Sequence, residues 1–114
     1  MAEQQYVQVQ TTVDSREEAS RLSRAVVDER LAACAKVLGP ISSTYWWEDT
    51  VDVDEEWLVL INAPSDRYEP LAAYLTREHP YDVPEILAFP VVAGGRDYLA
   101  WVSDETRAAR TEPI

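Results

Sequence analysis

The sequence predicts an α+β sandwich, a four-stranded antiparallel sheet with two helices on one face. Three observations carry this. Strand-like runs occupy residues 6–13, 35–47, 51–61 and 85–92. Helix-periodic runs follow the first and third of them, and the two central runs meet at a short acidic turn. The order β-α-β-β-α-β-α, two β-α-β units flanking a hairpin, is the ferredoxin-like βαββαβ arrangement with an extended central hairpin and a C-terminal helix. At 114 residues the chain reads as one domain spanning 1–114.

Tyr6 to Val13 alternates and reads as the first strand. Ser15-Arg-Glu-Glu18 is a capping-box pattern, and Ala19, Leu22, Val26 and Ala33 mark the apolar face of a helix ending near Leu31 to Ala33. The hairpin follows, with Glu48-Asp49-Thr50 as its turn. On its second strand Val51, Val53, Glu55, Trp57, Val59 and Ile61 share one face, and Asp52, Asp54, Glu56, Leu58 and Leu60 the other. The turn end reads as acidic on both faces. These strands exceed the usual five or six residues, and Pro40, which offers no N–H to a ladder, predicts a bulge or bend. The surplus length, the uncovered sheet face and the third helix all call for a partner, and another subunit is the natural one.

Asn62-Ala-Pro-Ser-Asp66 closes the second hairpin strand. A helix starting at Ser65 or Asp66 turns Tyr68, Leu71, Ala72 and Leu75 inward, carries Pro70 in its first turn, and stops at Pro80. Tyr81-Asp-Val-Pro84 is a stiff turn, and Glu85 to Val92 a buried last strand. Asp97 caps a third helix with Tyr98, Trp101 and Val102 at i, i+3 and i+4. Residues 106–114 read as a frayed tail.

A net charge of −11 offers no basic patch for a nucleic-acid backbone or an anionic membrane. The single cysteine, Cys34, cannot form an internal disulfide. Residues 1–5 show neither a charged leader nor an apolar run, and no segment approaches the ~20 apolar residues of a membrane helix. The expectation is a cytosolic protein.

No catalytic motif is visible, and a Cys34–His79 pair lacks an orienting third group, so no enzyme is expected. His79-Pro-Tyr-Asp-Val-Pro-Glu85 is the densest polar segment. Its prolines stiffen the backbone between an imidazole and a carboxylate that offer two ligands to Cu²⁺ or Zn²⁺. Alternatively His79 sits at a helix C-terminus, favoured by the dipole, and Glu85 caps a turn. Six carboxylates, Glu48, Asp49, Asp52, Asp54, Glu55 and Glu56, surround the hairpin turn without EF-hand spacing, and read best as a solvated tip. Glu56 lies inboard, beside Trp57 and Leu58, where a carboxylate needs a partner. Cys34 offers a soft ligand, or else inert packing among alanines. Tyr45, Trp47 and Tyr81 form an aromatic cluster beside the stiff His-Pro-Tyr turn.

Taken together, Glu29-Arg-Leu-Ala-Ala-Cys-Ala35, Ser43-Thr-Tyr-Trp-Trp-Glu48, Glu56, His79-Pro-Tyr81, Pro84-Glu-Ile86, Pro90-Val91 and Asp97-Tyr-Leu-Ala-Trp101 resemble the CutA family of divalent-cation tolerance proteins. The resemblance implies a homotrimer of ferredoxin-like protomers, a cytosolic role in tolerance of copper and other divalent ions, and a metal as the only cofactor. His79, Glu85, Cys34 and Glu56 are then the candidate metal ligands. The trimer resembles that of the PII signalling proteins, which implies an alternative: a small-ligand sensor whose intersubunit cleft is lined by Tyr45, Trp47, Tyr81 and Asn62. Family members typically carry a Gly-Lys turn where this chain has Asp49-Thr50, and a lysine where it has Asn62. Some have a first-strand cysteine where it has Gln10. Those departures imply a cleft poorer in positive charge and a weaker soft-metal site.

Overall fold

A computed structural model describes residues 4–107. The elements are β1 (Tyr6–Val13), α1 (Arg16–Asp28), β2 (Cys34–Trp47), β3 (Thr50–Pro64), a 3-10 turn (Ser65–Arg67), α2 (Tyr68–Glu78), β4 (Leu87–Val91) and α3 (Arg96–Glu105). The strands form one antiparallel sheet in the order β2-β3-β1-β4, the ferredoxin-like α+β sandwich. Period-two alternation sends Val9, Val13, Val59, Ile61 and Ala63 to one face. There they meet Ala19, Leu22 and Val26 of α1 and Leu71 and Leu75 of α2 in a single buried core.

Local chemistry sets the ends of α1. Ser15 Oγ accepts from the Glu18 amide at 3.1 Å, but the Glu18 carboxylate pairs with Arg21 at 2.7 Å rather than reaching back. Half the capping box forms. The helix ends at Asp28 rather than near Leu31 to Ala33. Arg30 takes φ 58°, and the Leu31 and Ala32 amides both return to the Val26 carbonyl, at 3.0 and 3.2 Å. That left-handed residue is ordinarily glycine or asparagine. An arginine there gives the sequence no stop signal.

The hairpin turn is shorter than three residues. Trp47 pairs with Thr50, and Glu48 and Asp49 both take positive φ, 49° and 68°, as a two-residue type I′ turn requires. Thr50 belongs to the strand, its hydroxyl donating to the Trp47 carbonyl at 3.0 Å. The ladder slips by one residue between Leu38 and Ile41, where Gly39–Pro40 is a cis peptide; this is the bulge that Pro40 predicts. Gly39 lies beneath the Trp57 indole, and a Cβ there would sit 2.5 Å from Trp57 Cδ1.

β1 pairs with β3 only from Trp57 to Pro64. Among the described strands, residues 50–56 of β3 pair with β2 alone, so the outer hairpin projects. The molecule is 52 Å long, and its radius of gyration of 15.4 Å exceeds the roughly 13 Å of a compact chain this size.

The last strand differs from its prediction. β4 is five residues long and open, not a buried run from Glu85 to Val92; Phe89 is 46% exposed. Register explains this. Leu87 and Phe89 pair with Gln10 and Gln8, on the face opposite the core, and β4 is the edge strand, with no further strand beside it among the described residues. That edge also tolerates Pro90.

α3 partly covers the same open face. It reaches Tyr6, Cys34 and Asn62, residues that alternate with core-packed Val7, Ala35 and Ala63. Gly95 occupies its N-cap without a side-chain cap. Asp97 therefore complements the helix dipole from the first turn instead of capping. Thr106 is buried, its hydroxyl donating to the Val102 carbonyl at 2.9 Å, and Arg107 Nε donates to the Ser103 carbonyl at 2.7 Å. The rest of the expected tail, 108–114, lies outside the described residues.

Candidate functional site

The candidate residues fall into three groups. At the base of the hairpin, Cys34 and Asn62 are cross-strand partners lying beneath α3. Asn62 Nδ2 donates to Tyr98 Oη at 2.8 Å and lies 3.5 Å from Cys34 Sγ. Tyr98 Oη stands 3.2 Å from that sulfur and Lys36 Nζ 3.7 Å. Gln8 Nε2 donates to Asn62 Oδ1 at 2.9 Å, extending the row across the sheet. Burial, with the Cys34 contact next, raises the Tyr98 phenol above its ordinary range, while Asn62 opposes the rise. A cleft of about 230 Å³ adjoins the row, lined by residues that include Tyr6, Gln8, Asn62, Tyr98 and Val102.

His79 closes the other end of the core. Its Nε2 lies 3.0 Å from the Thr12 carbonyl and 3.1 Å from Thr11 Oγ1, and Nδ1 accepts from the Tyr81 amide at 3.0 Å. A carbonyl only accepts, so Nε2 carries the proton. The amide only donates, so the Nδ1 lone pair is occupied. The ring is neutral with both nitrogens engaged. Burial lowers its pKa below the ordinary value, against a smaller opposing effect of the Thr12 hydrogen bond.

Beside it, Tyr81 Oη donates to Glu56 Oε2 at 2.7 Å, the partner that an inboard carboxylate requires. Burial first, then that bond, drives the Tyr81 phenol well above its usual range. Farther out, the Tyr45 hydroxyl donates to Asp54, which pushes its pKa up to about 12. Tyr45 and Trp47 lie opposite Asp52 and Thr50. The six turn carboxylates are distributed unevenly. Asp52, Asp54 and Glu56 share the Tyr45 face, while the other face carries Glu55 beside Trp46, Val51 and Val53, with Trp46 74% exposed. The acidity expected on both faces of the turn end is thus limited on this second face to Glu55.

The structure does not gather the candidate metal ligands within one protomer. Alternation along β1 puts Thr11 on the helix-covered side and Gln10 on the open side. His79 follows Thr11, whereas Glu85 accepts from Gln10 Nε2 at 2.7 Å. Cys34 lies with Asn62, and Glu56 with Tyr81. No group of three or more His, Cys, Asp or Glu side chains placed to hold a metal occurs among the described residues. The candidate cleft divides too. Asn62 lies six positions along β3 from Glu56, roughly 20 Å at strand rise, so it stands apart from Tyr45, Trp47 and Tyr81. The residues that sequence reasoning missed are Tyr98 and Lys36, the contacts of Cys34. Tyr98 was legible only as an inward helix position, because the face on which α3 packs has no local signal.

Sandwich, projecting hairpin and α3 on the open face define a ferredoxin-like α+β protein; among the described residues Cys34 and His79 keep separate partners. This is the architecture that divalent-ion tolerance proteins present. The chain belongs to the CutA1 divalent ion tolerance protein family, whose model matches residues 7–105. It is 39% identical over 95 residues to the divalent-cation tolerance protein CutA of Thermus thermophilus, covering 83% of this chain and 92% of that one. It is likewise 39% identical over 99 residues to the chloroplastic CutA of Arabidopsis thaliana, covering 87% of this chain and 54% of that one. The chain thus spans about half the length of its curated plant relatives. CutA1 from Oryza sativa superposes with a TM-score of 0.88 at 35% identity, over 92% of this chain and 96% of the other. No described helix is long and apolar enough to cross a membrane.

Proposed function

We propose that this protein is a cytosolic homotrimer that binds copper or another divalent ion, at sites completed between subunits, in the response to metal ions. Dispersal of the candidate ligands carries this reading. Cys34, Glu56, His79 and Glu85 each engage a different neighbour, and exposed apolar surface on the hairpin and β4 stands ready for a second copy. Assembly would bring ligands from different protomers together. Cys34 and Glu85 are the accessible members of the set, whereas His79 must first release the Tyr81 amide.

Sedimentation is expected to give a trimer at micromolar concentration; a stable monomer would refute the assembly. Calorimetry on the metal-free trimer is expected to give stoichiometric Cu²⁺ binding that weakens tenfold or more in Cys34→Ser and in Glu85→Gln. If both variants, and His79→Ala, bind as tightly as the parent, the ligand assignment is wrong.

The alternative, a PII-like small-ligand sensor, draws support from Tyr45, Trp47 and Tyr81 standing beside the Asp54 and Glu56 carboxylates. Any such cleft has to be completed by Asn62 of a second copy. A thermal-shift screen of nucleotides and metabolites that moves no melting temperature would count against it.

A further inference from the structure

Where the C-terminus of α3 meets the start of α2, a cleft of about 310 Å³ is lined by Asp66, Arg67, Thr106 and Arg107. Cation tolerance has no use for two arginines here. The chain carries a net charge of −11, yet neither guanidinium has a carboxylate within 4 Å among the described residues; Arg21, Arg24, Arg30 and Arg77 do, while Arg16 and Arg96 also lack one but stand apart from each other and from this cleft. Both cleft arginines are held in place. Arg67 Nη2 donates to the Arg30 carbonyl at 3.2 Å, and Arg107 Nε to the Ser103 carbonyl at 2.7 Å. Among the described residues Arg67 Nε is buried without a hydrogen-bond partner, as are Ser23 Oγ and Trp57 Nε1, but it alone of the three carries a charge. A buried donor on a permanent cation, left without an acceptor, is a cost that proteins rarely carry without a ligand or water to meet it.

We propose that this cleft binds a phosphate group bearing one hydrogen, as inorganic phosphate does near neutrality. Guanidinium forks match phosphate oxygens in charge and geometry. Asp66, the carboxylate at the rim, gives the site its selectivity. It accepts the hydrogen of a P–OH group, but repels sulfate, which is fully ionised and has no hydrogen to donate. The site is chemically separate from any metal site, because it recognises an anion through donors that are useless to a cation.

Titration of the isotope-labelled protein with potassium phosphate, followed by amide chemical shifts, tests this against potassium sulfate at matched ionic strength. Saturable shifts are expected at Asp66, Arg67, Thr106 and Arg107 with phosphate, with sulfate at least tenfold weaker. Arg107→Gln is expected to weaken phosphate at least tenfold, and Asp66→Asn to erase the preference over sulfate. Arg24→Gln, which removes a charge on α1, should change nothing. A parallel titration with glycerol phosphate separates a site for the free ion from one that takes a phosphate monoester. Arg67→Gln also loses the bond to the Arg30 carbonyl and is open to a folding defect. Arg107→Gln and Asp66→Asn alter exposed residues and keep the test decisive. Failure of both phosphate compounds, equal binding of phosphate and sulfate by the parent, or unchanged binding in Arg107→Gln would overturn the proposal.

Discussion

β3 passes through two environments. From Trp57 to Pro64 it lies between β2 and β1 beneath the helices, and Val59, Ile61 and Ala63 are fully buried. From Thr50 to Glu56 its only strand partner among the described residues is β2, and Val51 and Val53, continuing the same alternation, are more than half exposed. Apolar residues every second position therefore say that a face is to be buried, not who buries it. The inner half is stabilised by its own chain. The outer half presents its apolar face to whatever comes next, and the proposed trimer is the occupant that fits.

The sharpest test of this contrast is in the core. Leu75→Ala removes a fully buried side chain and is expected to cost about 3 kcal/mol in urea unfolding at fixed protomer concentration. His79→Phe keeps the ring but strands the Thr12 carbonyl and the Tyr81 amide, at a cost of about 2 kcal/mol near neutral pH. The pH dependence has a definite sign. The folded-state pKa of His79 lies below its unfolded value of about 6.5, so the unfolded chain takes up the proton first as pH falls. The advantage of the parent over His79→Phe is full above about pH 6.5 and shrinks with acid. A stability difference that stays flat from pH 8 to pH 5 would contradict the buried neutral imidazole.

At the boundary between the two halves, Gly39→Ala pushes a methyl into the Trp57 indole and is expected to cost about 1.5 kcal/mol by displacing it. A neutral result would mean that the indole swings away freely. Smallest in its effect on the protomer is Trp46→Ser, expected to change protomer stability by less than about 0.5 kcal/mol, because the side chain is mostly in water. Its signature is expected in sedimentation instead, as a shift toward smaller species. A trimer as robust as the parent's would place the interface elsewhere.

Elements with a local cause were legible in the residues. Ser15 starts α1, Pro70 and Pro80 bracket α2, Pro40 marks the bulge, and an inboard Glu56 demands a partner that proves to be Tyr81. The misreadings share a different origin. Arg30 ends α1 in a conformation that only surrounding contacts favour. β4 looks buried in sequence because an apolar run carries no record of which face is covered. His79 and Glu85 look paired because two prolines stiffen the short backbone between them, yet the alternation of β1 draws them to opposite sides of the sheet.

By itself, then, the sequence determined the order and type of the elements, the hairpin and which β3 residues share a face, and the family, since these rest on short-range sterics, periodicity and motif spacing. Only the tertiary structure decided which apolar faces close within the chain, that Cys34 meets Tyr98 and Asn62, and that two arginines 40 residues apart come to share one cleft with Asp66. Such contacts depend on where whole elements pack, and no residue's neighbours in the chain encode that.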